Sequence, residues 1–265
     1  MENTGTLRKM IVQDAESIHY WLNLNKEKSF FLNDLIGREV ELSWTGEINC
    51  INCGRSIKKT YGQGFCYPCF AESPQAAPCI VRPELCEAHL GRGRDVEWEE
   101  KHHNQPHLVY LAQTSGIKVG VTRKTQMPTR WIDQGARKCV VLAETPYRQL
   151  AGRIEIELKQ YVTDRTDWRK MLTDQRSDES IEARREELLS CLPPDLMQYA
   201  LRKAESFEFS YPVQNFPDKV RTLNLEKVKT IKEIITGIRG QYLLFNDGDV
   251  INIRKYTGYE VRFKA

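Results

Sequence analysis

The stretch VYLAQTSGIKVGVTRKTQMPTRWIDQGA, Val109 to Ala136, decides the expected fold of the central part of the chain. Its first half reads as two short strands joined by a Ser-Gly turn. A helix is predicted to start at Pro128, because proline suits the first turn of a helix. VVLAETP, just downstream, indicates a third strand, and RQLAGRIEIELKQYV repeats apolar residues at helical spacing. These patterns predict a compact αβ unit with a small antiparallel sheet.

Positive charge is concentrated in this unit, although the chain as a whole is nearly balanced. The 265 residues carry 39 Lys and Arg against 36 Asp and Glu, which is too even to indicate a polyanionic partner. Between Lys118 and Cys139, however, the cations face one acid, Asp133. They are Lys118, Arg123, Lys124, Arg130, Arg137 and Lys138. This cationic segment predicts contact with a phosphate chain, and a solvated helix face is the alternative.

The flanking sequence alternates apolar and polar residues, as antiparallel strands do. We therefore expect an α+β fold in four segments: a β-rich segment (1–48), a zinc-binding segment (49–107), the αβ unit (108–192) and a β-rich C-terminal domain (193–265). REVELSWTGEINCI and GQYLLFNDGDVINI share an apolar and polar order. Either these two similar hairpins form one β-domain from the two ends of the chain, or the match reflects common hairpin patterning.

Two Cys-x2-Cys pairs predict a structural zinc site. Cys50 and Cys53 lie in one turn-like stretch, and Cys66 and Cys69 lie in another. Such turns present two thiolates each to one tetrahedral ion and leave no open position for catalysis. Redox pairs and ordinary buried thiols are the alternatives.

A second zinc site is predicted in CIVRPELCEAHLG. Cys79, Cys86 and His89 supply three ligands there, and His102, His103 or His107 supplies the fourth. The alternative is that Cys79 and Cys86 are small buried residues and that His89 is a polar cap. Cys139 and Cys191 are expected to be structural.

The chain is expected to be cytoplasmic and to have no membrane partner. No run approaches the roughly 18 apolar residues that span a bilayer, and the start lacks the apolar stretch of a secretory signal. In a reducing compartment, cysteines favour metal binding over disulfide bonds.

The αβ unit resembles the GIY-YIG endonuclease superfamily between about Leu108 and Leu172. The resemblance rests on VYL at 109–111, KVG at 118–120, Thr122, Arg130 and the AGRIE run that ends at Glu155. The zinc ribbon together with VGVTR, TRWIDQGA, IRGQYLLF and NIRKYTGY also resembles a bacterial and archaeal family known only as a domain of unknown function.

The GIY-YIG resemblance implies phosphodiester cleavage with one divalent ion. Tyr110 would be the phenol near the attacking water, Arg130 the cation on the scissile phosphate, and Glu155 the carboxylate that holds Mg²⁺ or Mn²⁺, with Glu157 as an alternative. Lys118 stands where typical members carry a second tyrosine. Lysine still grips phosphate, but it is not a phenol that shares the proton transfer.

Two functions follow from these residues. The first is a divalent-metal-dependent endonuclease acting on DNA or RNA, and the second is a catalytically inactive nucleic-acid-binding module on the same scaffold. Further nucleic-acid contacts are predicted at Arg123, Lys124, Trp131 and Arg137, although a tryptophan on a short helix is more often a core residue than a base-stacking one. A protein-interaction scaffold is the third alternative.

Overall fold

The computed structural model describes residues 1–203 and 205–265 and has an α+β fold. Its strands are β1 (Glu2–Thr6), β2 (Ile11–Gln13), β3 (His19–Leu24), β4 (Glu27–Phe31), β5 (Glu39–Ile48), β6 (His107–Gln113), β7 (Ile117–Arg123), β8 (Lys138–Thr145), β9 (Ser206–Glu208), β10 (Arg221–Thr222), β11 (Thr230–Arg239), β12 (Tyr242–Phe245), β13 (Asp249–Asn252) and β14 (Tyr259–Lys264). Its helices are α1 (Tyr67–Glu72), α2 (Val96–His103), α3 (Thr129–Asp133), α4 (Arg148–Leu158), α5 (Trp168–Leu172), α6 (Ile181–Ser190), α7 (Pro194–Met197) and α8 (Leu225–Val228).

The chain divides into two compact units. Unit 1 comprises Met1–Ala71, Leu172–Asp174 and Ser210–Ala265, and unit 2 comprises Glu72–Met171 and Gln175–Phe209. This division differs from the four predicted segments mainly in that it places the two cysteine groups in different units. The first cysteine group belongs to the β-rich unit, whereas the second belongs to the αβ unit.

Unit 1 is built on a seven-stranded sheet in the order β1-β14-β5-β11-β12-β13-β10. Strand β5 pairs antiparallel with both β11 and β14, so the two ends of the chain form one β-domain, as one of the two sequence alternatives predicted. The stretch around β5 is not a hairpin. Gly46 has φ +101° but lies in a bulge where the pairing with β14 shifts register. The true hairpin is β12–β13, whose turn places Asp247 and Gly248 at positive φ.

Unit 2 contains a four-stranded sheet in the order β7-β6-β8-β9. The predicted succession of two strands, a short helix, a strand and a longer helix is confirmed. One face of this sheet is apolar and packs against α4 and α6. Its core includes Val109, Leu111, Val119, Val140, Leu142, Leu150, Ile154, Leu158, Ile181 and Leu188. The burial of this face holds α4 against the sheet. The opposite face of the sheet carries Tyr110 and Lys118.

Candidate functional site

The four cysteines Cys50, Cys53, Cys66 and Cys69 lie together in unit 1, and we call them the ribbon cluster. Their sulfur atoms all lie within 4.8 Å of one another, and the Sγ atoms of Cys53 and Cys66 are 3.8 Å apart. In tetrahedral zinc with Zn–S bonds of about 2.3 Å, the sulfurs are about 3.8 Å apart. The ribbon cluster can therefore hold one zinc ion.

Local hydrogen bonds prepare the ribbon cluster for a cation. The backbone N–H of Cys66 donates to Sγ of Cys50 at 3.2 Å, and Nδ2 of Asn52 donates to Sγ of Cys69 at 3.3 Å. Burial alone would raise the pKa of Cys50, but backbone hydrogen bonds from Cys53, Cys66 and Asn52 outweigh it and lower the pKa to about 6. Cys50 is thus a thiolate at neutral pH, which is the form that binds metal.

A second group of possible ligands lies in unit 2, and we call it the second cluster: Cys79, Cys86, Glu99 and His103. All four side chains are buried, and their ligand atoms lie within 4.8 Å of one another. Nδ1 of His103 is 3.9 Å from Sγ of Cys79 and 3.6 Å from Oε2 of Glu99. Two thiols, an imidazole and a carboxylate are ligands that zinc accepts, so this group can also hold one zinc ion.

The predicted ligand His89 lies outside the second cluster, and the prediction needs correction there. Residues Ala88–Leu90 form a 3₁₀ turn, and the His89 ring stacks on Tyr147 at a centroid distance of 4.4 Å. His102 stacks on Trp98. Burial lowers the pKa of His107 to about 3, and its Nδ1 atom contacts the carbonyl of Gln105. Of the three histidines predicted as alternative fourth ligands, His103 is the one that lies beside Cys79 and Cys86.

The four predicted catalytic residues come from β6, β7, α3 and α4, and we call them the Tyr110 cluster: Tyr110, Lys118, Arg130 and Glu155. Tyr110 lies opposite Gly120, and Lys118 lies opposite Ala112. Cross-strand partners point to the same face of a sheet, so Tyr110 and Lys118 share a face. Burial dominates the pKa of each, but the charges of both Arg130 and Glu155 also act on each pKa. Tyr110 and Lys118 thus share one face, and Arg130 and Glu155 are near enough for their charges to influence both pKa values.

Tyr110 is fixed in this cluster by its surroundings. Its side chain is 1% exposed, and Nε2 of Gln134 donates a hydrogen bond to its Oη at 2.6 Å. A Cβ at Gly120 would lie 2.8 Å from that Oη, so only glycine leaves room for the ring. Burial raises the pKa of the phenol, so it is neutral at pH 7.

Lys118 and Arg130 are neighbouring cations that lack a protein acceptor. Within residues 1–203 and 205–265, neither side chain makes a hydrogen bond or an ion pair. Lys118 is only 7% exposed. Burial and, after it, the positive charge of Arg130 lower its pKa to about 8, while the negative charges of Asp164 and Glu155 oppose that shift. A bound anion would relieve the repulsion between the two cations.

Glu155 is buried and already has a cation beside it. Nζ of Lys159 lies 3.4 Å from Oε2 of Glu155 and 3.0 Å from Oδ2 of Asp164. Burial raises the pKa of Glu155, and Lys159 opposes that rise. A divalent ion on Glu155 would have to displace Lys159, so the residues as arranged do not fit Mg²⁺ or Mn²⁺. The alternative carboxylate, Glu157, contacts Gln160 instead.

The other predicted nucleic-acid contacts differ in their surroundings. Trp131 is 0% exposed and packs between Tyr110 and Phe207, so the prediction that it stacks on a base is wrong. Helix α3 directs the indole of Trp131 inward, because the side chains that it packs against on the sheet are aromatic. Both carboxylate oxygens of Glu144 lie 2.9 Å from Nζ of Lys124. Arg123 and Arg137 are half-buried.

Residues 37–261 match the family described as "Protein of unknown function (DUF2797)". The chain belongs to this family. The matched region contains the ribbon cluster, the second cluster and the Tyr110 cluster of this DUF2797 protein. No curated protein and no solved structure matches it.

Two residues of the DUF2797 protein's candidate sites were not predicted from sequence. Glu99 could have been found, because Glu-x3-His places Glu99 and His103 on one face of a helix. Gln134, which binds the Tyr110 hydroxyl, carries no comparable signal. Among the described residues of the DUF2797 protein, no helix combines the length and apolar character needed to cross a bilayer.

Proposed function

We propose that unit 2 binds the phosphate backbone of DNA or RNA at Lys118 and Arg130. The observation that carries the proposal is that these neighbouring cations have no acceptor among the described residues. A phosphate between them would supply acceptors to both side chains and remove their mutual repulsion. The Tyr110 hydroxyl next to them can donate a further hydrogen bond.

The proposed contact lies on the face of the sheet that carries Lys118. Strand β7 is an edge strand with Lys118 near its start and Arg123 at its end. Because successive side chains of a strand point to opposite faces, Arg123, five residues further on, lies on the other face and does not extend this contact. Because Trp131 is buried, the cluster offers no tryptophan for base stacking. We therefore expect backbone contacts with little sequence preference.

The ribbon cluster belongs to this proposal as a structural element. We propose that it binds one zinc ion, because four thiolates complete a tetrahedral shell and leave no open coordination position. The ion would hold the loops that carry Cys50 to Cys69.

Substitution of Lys118 by methionine and of Arg130 by glutamine tests the proposal. Each change is expected to weaken the binding of fluorescein-labelled DNA and RNA oligonucleotides about tenfold or more, because a charge-assisted hydrogen bond contributes about 1.5–3 kcal/mol. In the double variant, the slope of log K against log salt on duplex DNA should become shallower by about 1.8. Fluorescence anisotropy at several salt concentrations measures both quantities.

Lys124→Met is the matched control, since it removes the same charge from the same unit but at a lysine already engaged by Glu144. It is expected to change affinity by less than about threefold, as exposed ion pairs contribute little. Equal losses in Lys124→Met and Lys118→Met would show that binding depends only on net charge, against the proposal. If the protein binds only the DNA or only the RNA oligonucleotides, that result identifies which polymer is the ligand.

The affinity is also expected to depend on pH through Lys118. Its pKa of about 8 means that the ammonium is present at pH 7 and is lost as pH rises above 8. A bound phosphate raises that pKa, so the affinity should fall by up to about tenfold per pH unit between the pKa of the free protein and that of the complex. Titrations between pH 6.5 and 9.5 measure this decline. Lys118→Met should bind weakly at every pH, without the decline above pH 8.

The alternative from the sequence is divalent-metal-dependent cleavage of the bound strand. The Lys159 ammonium beside Glu155 disfavours it, because a divalent ion would have to displace that cation. Incubation of the labelled oligonucleotides with and without Mn²⁺ separates the two functions. Mn²⁺-dependent products that disappear in Glu155→Gln would establish cleavage, whereas intact strands would leave binding alone.

A further inference from the structure

The N-terminal half of α4 is held by the segment that carries Cys79, Cys86 and His89. Three contacts join them. The His89 ring stacks on Tyr147, directly before the helix. The Arg148 guanidinium donates to the carbonyls of Cys79 and Ile80, each at 3.0 Å. The third contact, at Gly152, is between the two backbones.

Gly152 lets this segment touch α4 directly. A Cβ at this position would lie 2.2 Å from the backbone N of Glu84 and 2.5 Å from the carbonyl carbon of Pro83. No side chain can be accommodated at those distances, so the 3₁₀ turn Pro83–Leu85 packs against the bare helix backbone. Glu155 follows Gly152 by one helical turn. The position of Glu155 therefore depends on this segment.

The segment has too little apolar contact to hold its own shape. Residues 74–90 consist of short 3₁₀ turns, and Val81, Leu85 and Leu90 are exposed. The associated buried apolar cluster contains only Ala77, Cys79, Cys86 and Ala88. Two alanines and two thiols bury little surface, so hydrophobic burial cannot be the main force that orders the segment. Small segments of this kind are usually held by a metal ion or by disulfides.

The charges around the second cluster are consistent with a bound dication. Two thiolates, one carboxylate and a neutral imidazole around Zn²⁺ sum to a single negative charge. The half-buried guanidinium of Arg148 lies close enough for the charges of both Cys79 and Cys86 to act on it, and it supplies the balancing positive charge. Arg148 thus connects the second cluster to α4 both by charge and by its hydrogen bonds.

We infer that the second cluster binds one zinc ion and that this ion fastens the N-terminal half of α4 to unit 2. Arg148 and Gly152 are the positioning residues that transmit the constraint. The inference does not rest on nucleic-acid binding, because it concerns only the metal content of the chain and the order of one helix.

Zinc content per chain and hydrogen exchange along α4 test the inference in the full-length protein. Wild type is expected to hold two zinc ions by elemental analysis, and His103→Ala should hold one. In His103→Ala, the amides of residues 152–158 should exchange at least tenfold faster. His102→Ala is the matched control, because His102 directly precedes His103 but its ring stacks on Trp98. This variant should keep two zinc ions and the wild-type rate of amide exchange in α4.

Gly152→Ala disturbs the contact between the segment and α4 without removing a zinc ligand. Its ligands are intact, so it should keep two zinc ions, yet its α4 amides should exchange at least tenfold faster. It also tests the inference if His103→Ala fails to fold. One zinc ion in wild type, a disulfide between Cys79 and Cys86, or unchanged α4 exchange in Gly152→Ala would each overturn the inference. None of these readouts involves an oligonucleotide.

Discussion

Replacement of Cys66 by serine is expected to remove one zinc ion per chain and to unfold residues 50–71 locally. Structural zinc sites contribute apparent free energies of about 10–16 kcal/mol at neutral pH. The ribbon has little else to hold it, because among the described residues of 50–71 Phe65 is the one large apolar side chain that is buried. Amide exchange in residues 50–71 should rise to near the rate of an unfolded peptide, as hydrogen exchange with mass spectrometry would measure.

Cys191→Ser is the control for this experiment. Cys191 is half-buried and belongs to neither cysteine cluster. The variant should therefore keep the wild-type zinc content and exchange pattern. If Cys66→Ser kept its zinc and its protected amides, the ribbon cluster would not be a metal site.

Replacement of Trp131 by alanine is expected to lower the free energy of unfolding by about 3–5 kcal/mol, as for other large aromatic residues in cores. The indole is fully buried and contacts the rings of Tyr110, Phe207 and Phe209. The alanine would leave a cavity beneath the Tyr110 cluster. Urea unfolding measures the loss as a lower midpoint.

Tyr161→Ala in the same unit is the matched control, since its ring is about half exposed. It should change the free energy of unfolding by less than about 1 kcal/mol. A Trp131→Ala variant that was as stable as wild type but had lost oligonucleotide binding would contradict the buried position and restore the base-stacking role.

The sequence patterns predicted local structure well where one physical signal dominated. The Cys-x2-Cys spacing identified the ribbon cluster because each short turn fixes two sulfurs side by side. Apolar periodicity identified β6, β7, β8 and α4, since burial of one face determines both the sheet and the helix. The second cluster was predicted only in part, because Glu99 and His103 reach Cys79 and Cys86 through the packing of a separate helix.

The sequence by itself determined the α+β class, the four cysteines of the ribbon cluster and the elements that carry Tyr110, Lys118, Arg130 and Glu155. These follow from spacings within a few residues, where covalent geometry and side-chain periodicity leave few choices. Tertiary structure alone decided which way Trp131 points, that Lys159 accompanies Glu155, and that the charge of Arg130 acts on Lys118. Such relations depend on burial and on charges brought close from distant parts of the chain, and no local spacing encodes them.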